Sequence, residues 1–259
     1  MPEVLQDPGT FKTEFTRLKC CVLIPTFNNA SKLEQVIKDV ATYTNDIVIV
    51  NDGSKDSTED ILLKYPQLKI ARHEKNAGKG VALQTGFRFA LSNGYHYAIT
   101  IDSDGQHMAY DLPKFLNALE NSKNTIFIGS RNMDQSHIPG KSSYGNKFSN
   151  FWFKVITGIN VPDTQSGYRL YPLIPLQKMK FFTKKYEFEI EVLVRSSWTG
   201  MMIASIPIDV YYPPKNERIT HFRPFTDFTR ITILNTGFVV MAFFYYIPLR
   251  FFKGLKKKA

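Results

Sequence analysis

Cysteine is nearly missing from this chain. Two of its 259 residues are Cys, and they are the adjacent pair Cys20 and Cys21 inside an apolar run. Neighbouring cysteines cannot tie distant segments together, so a disulfide scaffold and a Cys-based metal site are excluded, and a reducing compartment is expected. Acidic residues are outnumbered, with 23 Asp and Glu against 33 Lys and Arg, a formal charge of +10. That balance excludes an acid-rich solvating chain and favours anionic partners such as phosphates or acidic lipid. Long apolar runs are lacking over most of the length, and a mean hydropathy of −0.21 excludes a polytopic membrane protein. The first nineteen residues carry Glu3, Asp7, Pro8, Gly9, Glu14 and Arg17 and no apolar stretch, so no secretory signal is expected. Internal repeats and low-complexity tracts are also missing. What remains is a globular composition, 43% hydrophobic and 22% charged, on a chain long enough for one large domain or two small ones.

From Cys20 onward short apolar runs alternate with amphipathic stretches, the pattern of β-α-β units around a largely parallel sheet. Strands are expected at Cys20 to Pro25, Asp46 to Asn51, Leu68 to Arg72, His96 to Ile101, Thr125 to Gly129 and Met201 to Val210. Helices are expected after Ser31 as N-cap, from Asp56 or Ser57 to about Tyr65, and over Gly78 to Ser92, Asp111 to Asn121, Ser142 to Thr157 and Glu187 to Thr199. The divisions read from this pattern are an N-terminal extension (1–19), a catalytic domain (20–214), a basic juxtamembrane loop (215–230), an apolar helix (231–252) and a basic tail (253–259). Between Arg230 and Arg250 lie nineteen residues without a charge, followed by Lys253, Lys256, Lys257 and Lys258. That length suits one tilted span, a helix lying in the bilayer interface, or a buried core helix, and the terminal lysines suit anionic lipid in the first two cases.

In a sheet of this kind ligands bind outside the carboxyl ends of the strands, so Asn51-Asp52-Gly53-Ser54 and Asp102-Ser103-Asp104 are expected to share one mouth. Two carboxylates two residues apart after a buried strand can hold a hard divalent cation against the phosphates of a nucleotide diphosphate; the bland alternative is a solvated acidic turn. An EF-hand is excluded, because His107 and Pro113 stand where that loop needs Gly and Glu. Asp52 is either a capping turn or an acceptor for the imide of a uracil or the amino group of a guanine. Asn76-Ala77-Gly78-Lys79-Gly80 is a potential backbone anion nest with Lys79 beside a phosphate, although its spacing matches neither a P-loop nor a dinucleotide fingerprint. Arg131, Arg169, Arg218 and Arg223, with Ser130, Ser166 and His221 interspersed, form a set suited to phosphate oxygens. On the expected helix from Glu187, Glu187 and Glu191 share a face, and for Glu187 a solvated helix start is the simpler reading.

Taken in order, IPTFNN, VNDGSKDST, KNAGKGVALQTGF, DSDGQH, GSR, DTQSGYR and FEIEVL resemble the family 2 glycosyltransferases with the GT-A fold, and among them the dolichyl-phosphate mannosyltransferase or polyprenyl-phosphate glycosyltransferase type. The resemblance runs over about residues 20–212. It implies an α/β fold of one GT-A domain, Rossmann-like with a mostly parallel sheet, plus a C-terminal membrane-associated helix, and inverting transfer of a sugar from a nucleotide diphosphate sugar with Mg²⁺ or Mn²⁺. By matching motif, Pro25, Thr26 and Asp52 would hold the nucleoside, and Asp102 and Asp104 the metal and diphosphate, with Gln106 a further ligand. Ser130, Arg131, Ser166 and Arg169 would lie near the acceptor phosphate, and Glu191 matches an acid near the acceptor. The chain departs from the family at Asn29, where Glu is usual. It departs again in the loop ERITHFRPF, where Arg218, His221 and Arg223 replace an R-x-x-G-x-S-K pattern.

A lipid phosphate acceptor is already ionised near neutral pH and needs cations rather than a base. A hydroxyl acceptor needs a carboxylate, for which Glu191, Glu189 or Asp163 are the sequence candidates. The phosphate is the favoured acceptor, a glycolipid hydroxyl the second, and a nucleotide-sugar binding or nucleotidyl-transferring protein the reading from another class. Nucleic acid is not an expected partner, since no helix-turn-helix, RRM or zinc pattern is present. The expected location is the cytoplasmic face of a membrane, peripheral or single-pass.

Overall fold

In the computed structural model of the chain, which describes residues 8–131, 140–212, 224–246 and 248, the apolar runs become a seven-stranded sheet. The strands are β1 (Cys20–Thr26), β2 (Ile47–Asn51), β3 (Lys69–Arg72), β4 (Tyr97–Thr100), β5 (Thr125–Arg131), β6 (Arg169–Pro172) and β7 (Met202–Ile208), in the spatial order β3-β2-β1-β4-β6-β5-β7. Every pairing is parallel except the two made by β6, which runs antiparallel between β4 and β5. Helices α1 (Pro8–Arg17), α2 (Ala30–Tyr43), α3 (Thr58–Leu63), α4 (Lys79–Ser92), α5 (Leu112–Asn121), α6 (Gly140–Thr157), α7 (Leu173–Gln177), α8 (Phe188–Trp198) and α9 (Pro224–Met241) cover it.

Period-two alternation explains how both faces are filled. Along β1, Cys21 and Leu23 enter one core and Cys20, Val22 and Ile24 the other; along β2, Val48 and Val50 oppose Ile47 and Ile49. Burial pushes both thiols well above their ordinary range, which makes them inert packing groups. On α2 the spacing of Leu33, Val36, Ile37 and Val40 buries a single stripe. Its cap is Asn29, two residues before the expected Ser31, and the Asn29 side chain makes no capping bond because it turns toward the sheet's mouth.

Three elements differ from expectation. The stretch read as an N-terminal extension contains α1, whose Phe11 and Phe15 join the core beneath α2 and α5. Strand β6 and the short α7 fall in a segment where no element was expected, because four residues beginning with Arg169 carry no alternation visible against their neighbours. The C-terminal apolar segment starts its helix at Pro224 and continues through a π-helical turn over Ala242–Tyr246. Asp227, Ile231, Asn235, Phe238 and Ala242 form one buried stripe along it, while Ile233, Val240, Phe243 and Phe244 are exposed on the other side. Trp198 stacks on Tyr246 and meets Phe238 edge-on, fastening the helix to the end of α8. The window from Thr226 to Tyr246 is long and apolar enough to cross a membrane, and 22% of it is buried.

Candidate functional site

The order of strands reverses at β1, whose neighbours are β2 on one side and β4 on the other, and a cleft of about 470 Å³ opens above the carboxyl ends of these three strands. Pro25, Thr26, Phe27 and Asn29 reach it from β1, Asp52 from β2, and Asp102, Ser103, Asp104 and Gln106 from β4. Gly78 and Lys79 form its side at the start of α4, and Lys185, Tyr186 and Asp227 close it. The single mouth expected for Asp52 and the Asp102-Asp104 pair is therefore present.

Asp102 is held by Lys79, whose ammonium lies 2.8 Å from Oδ1, with Glu189 Oε1 at 3.3 Å on its other side. Burial opposes ionisation of Asp102, but Lys79, by charge and hydrogen bond, together with His107 and Arg169 more than offsets it and keeps the carboxyl below its usual range. Burial also works against the Lys79 charge, and Asp102 and Glu189 more than offset it, so Lys79 stays protonated. Asp104 behaves oppositely. Burial and then the neighbouring Asp102 charge push it up to about 6, with its Oδ1 accepting a hydrogen bond from the Gln106 amide. His107, whose Nε2 lies 4.0 Å from Asp102, is pushed down to about 4 by burial and is neutral at pH 7.

A glycine makes this arrangement possible. A Cβ at Gly167 would fall 2.5 Å from Asp102 Oδ2 and 2.9 Å from Lys79 Nζ. The SGYR stretch thus serves the acidic pair by leaving room for it.

The Asp102-Asp104 pair fits a hard divalent cation. Its donors are carboxylate oxygens, and the raised value of Asp104 comes from burial and then from the Asp102 charge, both of which a bound cation would offset. Among the described residues no group of three or more His, Cys, Asp and Glu surrounds such a position, so the protein would supply two carboxylates and leave other coordination sites to substrate and water.

Other expected site residues have structural partners. Asp52 lines the cleft, yet its two oxygens accept hydrogen bonds at 2.9 Å from the Ala77 and Gly78 amides, and His73 Nδ1 lies 2.6 Å from Oδ1. The backbone nest read at Asn76 to Gly80 is thus filled by the protein's own carboxylate. Arg131 forms a bidentate pair with the buried Asp163, at 2.6 and 3.0 Å. Arg169 is fully buried and donates to the carbonyls of Ser166, Glu189 and Thr164 and to the Tyr171 hydroxyl. Ser166 is buried as well, its hydroxyl accepting from the Tyr168 amide. Glu191 is 0% exposed and accepts from the Phe182 and Thr183 amides, the Thr183 hydroxyl and Arg195.

Arg169, Ser166 and Glu191 are therefore buried beneath the site with their polar groups bonded internally, and none of the three is among the residues that line the cleft. Ser130 is half-buried beside Arg131 at the end of β5, and neither lines the cleft. Arg218, His221 and Arg223 lie outside the described residues.

Motif reading missed Lys185, Tyr186 and Asp227, whereas Glu189, a sequence candidate for a base, is engaged with Lys79. Two residues that line the cleft, Thr26 and Asn29, each carry a buried oxygen, Oγ1 and Oδ1, without a hydrogen-bond partner.

Comparison with known proteins decides what this cleft belongs to. The model of glycosyl transferase family 2 matches residues 21–179, more than half of the chain. The chain belongs to glycosyl transferase family 2. An uncharacterised protein of Methanocaldococcus jannaschii is 35% identical to it over 73% of this chain and 87% of its own length. The UDP-N-acetylglucosamine–dolichyl-phosphate N-acetylglucosaminyltransferase of Methanococcus voltae is 28% identical over 74% of this chain and 85% of its own length. The polyprenol monophosphomannose synthase of Mycolicibacterium smegmatis is 28% identical, covering 78% and 80%. Among solved structures, glucosyl-3-phosphoglycerate synthase of Mycobacterium tuberculosis, in complex with Mn²⁺, UDP and phosphoglyceric acid, aligns with a TM-score of 0.66 at 16% identity over 91% of this chain and 82% of that one. At that identity the likeness establishes the fold, which for this family 2 chain is GT-A.

Proposed function

We propose that this family 2 enzyme moves a sugar, with inversion, from a nucleotide diphosphate sugar to a membrane lipid acceptor, and that the acceptor is a polyprenyl phosphate. The observation that carries the reading is the Asp102-Asp104 pair with Lys79 at the carboxyl end of β4, in one cleft with the ends of β1 and β2. Two curated relatives named for dolichyl-phosphate and polyprenol substrates support the acceptor class.

Pro25, Thr26 and Asp52, all of which line the cleft, take the nucleoside of the donor. Lys79 lies beside the diphosphate, and its ion pair with Asp102 keeps it positively charged there. Asp102 and Asp104, with Gln106 alongside, would hold Mg²⁺ or Mn²⁺, which when bound offsets the charge that grows on the departing diphosphate. Substrate phosphate oxygens reaching the mouth meet a cationic protein of +10, which draws two anions to one site. An already ionised phosphate attacks the anomeric carbon without a base, so the protein's task is to align the two.

The exposed apolar side of α9 lies against the cytoplasmic face of the membrane and brings the mouth to the acceptor, and the lysines that follow it in the sequence suit anionic lipid. Incubating the full chain in anionic vesicles with UDP-glucose, UDP-N-acetylglucosamine or GDP-mannose, Mn²⁺ and a prenyl phosphate, then weighing the product, tests this. A new glycosyl phospholipid supports the reading; release of free sugar or no product with any donor refutes it.

One observation favours a second reading. Arg131 and Arg169, expected to hold a phosphate, are engaged internally, which suits an uncharged hydroxyl of a glycolipid. A product stable to mild acid, unlike a glycosyl phosphate, would decide for it.

A further inference from the structure

Helices α1, α2 and α5 pack on one face of the sheet, and α6, α8 and α9 on the other. The buried stripe of α9 runs from Asp227 to Ala242, so this helix is seated along its length and meets its surroundings with one side. Helix α6 lies against it and presents a side of its own.

Lys147, Phe151, Lys154 and Val155 are exposed on α6, and steps of three and four residues put them on one face. Asn146, Ser149, Phe153 and Ile156 are buried on the opposite one. Phe151 is 59% and Val155 37% exposed, large values for apolar groups on a helix that is otherwise packed. A chain of rings ties this face to α9: Phe228 of α9 lies 5.3 Å from Phe148, Phe148 lies 6.2 Å from Trp152, and Trp152 lies 5.4 Å from Phe151. Going round α6 at about 100° per residue, Phe148 on the α9 side is followed by Val155 and Phe151, and then by Lys147 and Lys154. The apolar groups therefore adjoin α9 and the cations stand outside them.

Charge selects what covers such a surface. None of the eighteen residues of α6 is Asp or Glu. Apolar side chains bordered by lysines, with no carboxylate among them, fit an anionic bilayer surface, where rings enter the headgroup region and ammonium groups meet lipid phosphates. A second copy of this chain fits less well, since pairing the face with itself sets lysine against lysine on a protein of +10.

We propose that α6 and α9 together form the membrane-docking surface, with Phe151 and Val155 entering the headgroup region beside α9 and Lys147 and Lys154 holding anionic lipid phosphates. This rests on the membrane reading of α9 above and goes beyond it by adding a second helix from the middle of the chain. One helix alone is a line of contact about which the domain can roll. Two helices side by side fix its orientation, and with it the direction in which the mouth of the cleft faces the lipid.

Partition of the full chain onto phosphatidylcholine vesicles, with and without phosphatidylglycerol, reads the two contributions separately. Lys147→Gln with Lys154→Gln lowers partition onto the anionic vesicles by roughly twentyfold, about fivefold for each lysine at such a surface, and leaves partition onto neutral vesicles as it was. Phe151→Ser with Val155→Ser lowers both by roughly tenfold. The charge-matched control, Lys12→Gln with Lys32→Gln on α1 and α2 across the sheet, changes neither by more than about twofold, because salt screens charges beyond about 10 Å. All four α6 positions are exposed, so thermal melts of these variants match that of the unsubstituted chain.

Lysine variants that behave like the control, or apolar variants that keep full partition, overturn the proposal. So does a chain that is dimeric in solution and made monomeric by Phe151→Ser with Val155→Ser, which gives the face to a second copy. If the unsubstituted chain binds neither vesicle, the membrane reading of α9 fails and this one with it. If replacing Ile233 and Phe244 releases the chain while the α6 variants stay bound, this one fails alone.

Discussion

Glycine 167 is the one small residue whose size the acidic pair requires. Gly167→Ala forces its new Cβ against Asp102 and Lys79, both boxed in by other groups. We expect sugar transfer to fall by roughly a hundredfold and the unfolding midpoint to drop with it, because a buried ion pair must shift to admit the Cβ, read from initial rates and thermal melts. Asp104 carries the opposite load. Asp104→Asn removes a buried like-charge repulsion, so the empty protein melts at the same or a higher temperature while metal-dependent transfer drops by about two orders of magnitude or more. The wild-type group also sets a pH window. Its folded value is raised to about 6, so it is protonated below that pH and ionised above. Protons then compete with the cation, and Mn²⁺ affinity, measured by titration calorimetry, is full above about pH 7 and declines about tenfold per unit below about pH 6. A flat profile between pH 5 and 7 would rule out Asp104 as a ligand.

Helices and strands show where sequence reading works and where it stops. The central parallel strands announce themselves because strands buried on both faces are near-continuous apolar runs, as in Ile47–Asn51. Strand β6 stays hidden: it is four residues long, opens with an arginine and owes its place to two neighbours distant in sequence. The same non-local packing explains the fate of Arg169 and Glu191. Each looks like site chemistry in a motif, and each is a brace, because burial was invisible until β6 and α8 were assembled. Glu191→Gln is expected to cost roughly 2–3 kcal/mol of stability, since four donors converge on the carboxylate. The folded fraction keeps kcat within about twofold. Denaturant unfolding beside turnover at low temperature checks both, and a large kcat loss in a stable variant would restore a catalytic role.

For the molecule as a whole, α9 joins two environments. Its buried stripe holds it to the domain and its opposite side presents Ile233 at 67% and Phe244 at 83% exposure. Double replacement of these two by Asp leaves the stability within about 0.5 kcal/mol, because neither touches the core. It should strip the chain from anionic vesicles in a sedimentation assay, and unchanged sedimentation would argue against an interfacial role. By itself the sequence determined the β-α-β order, the family, the mouth shared by Asp52 with Asp102 and Asp104, and the apolar C-terminal helix. Each of these is written in local periodicity or in residues a few positions apart. Only the tertiary structure decided that Asp52 and Arg131 hold other loops, that Arg169 and Glu191 are interior, and that Asp227 enters the cleft from the far end of the chain. Those outcomes depend on which groups meet across the sheet and how far each is withdrawn from water, and neither contact nor desolvation is a property of a residue's neighbours in sequence.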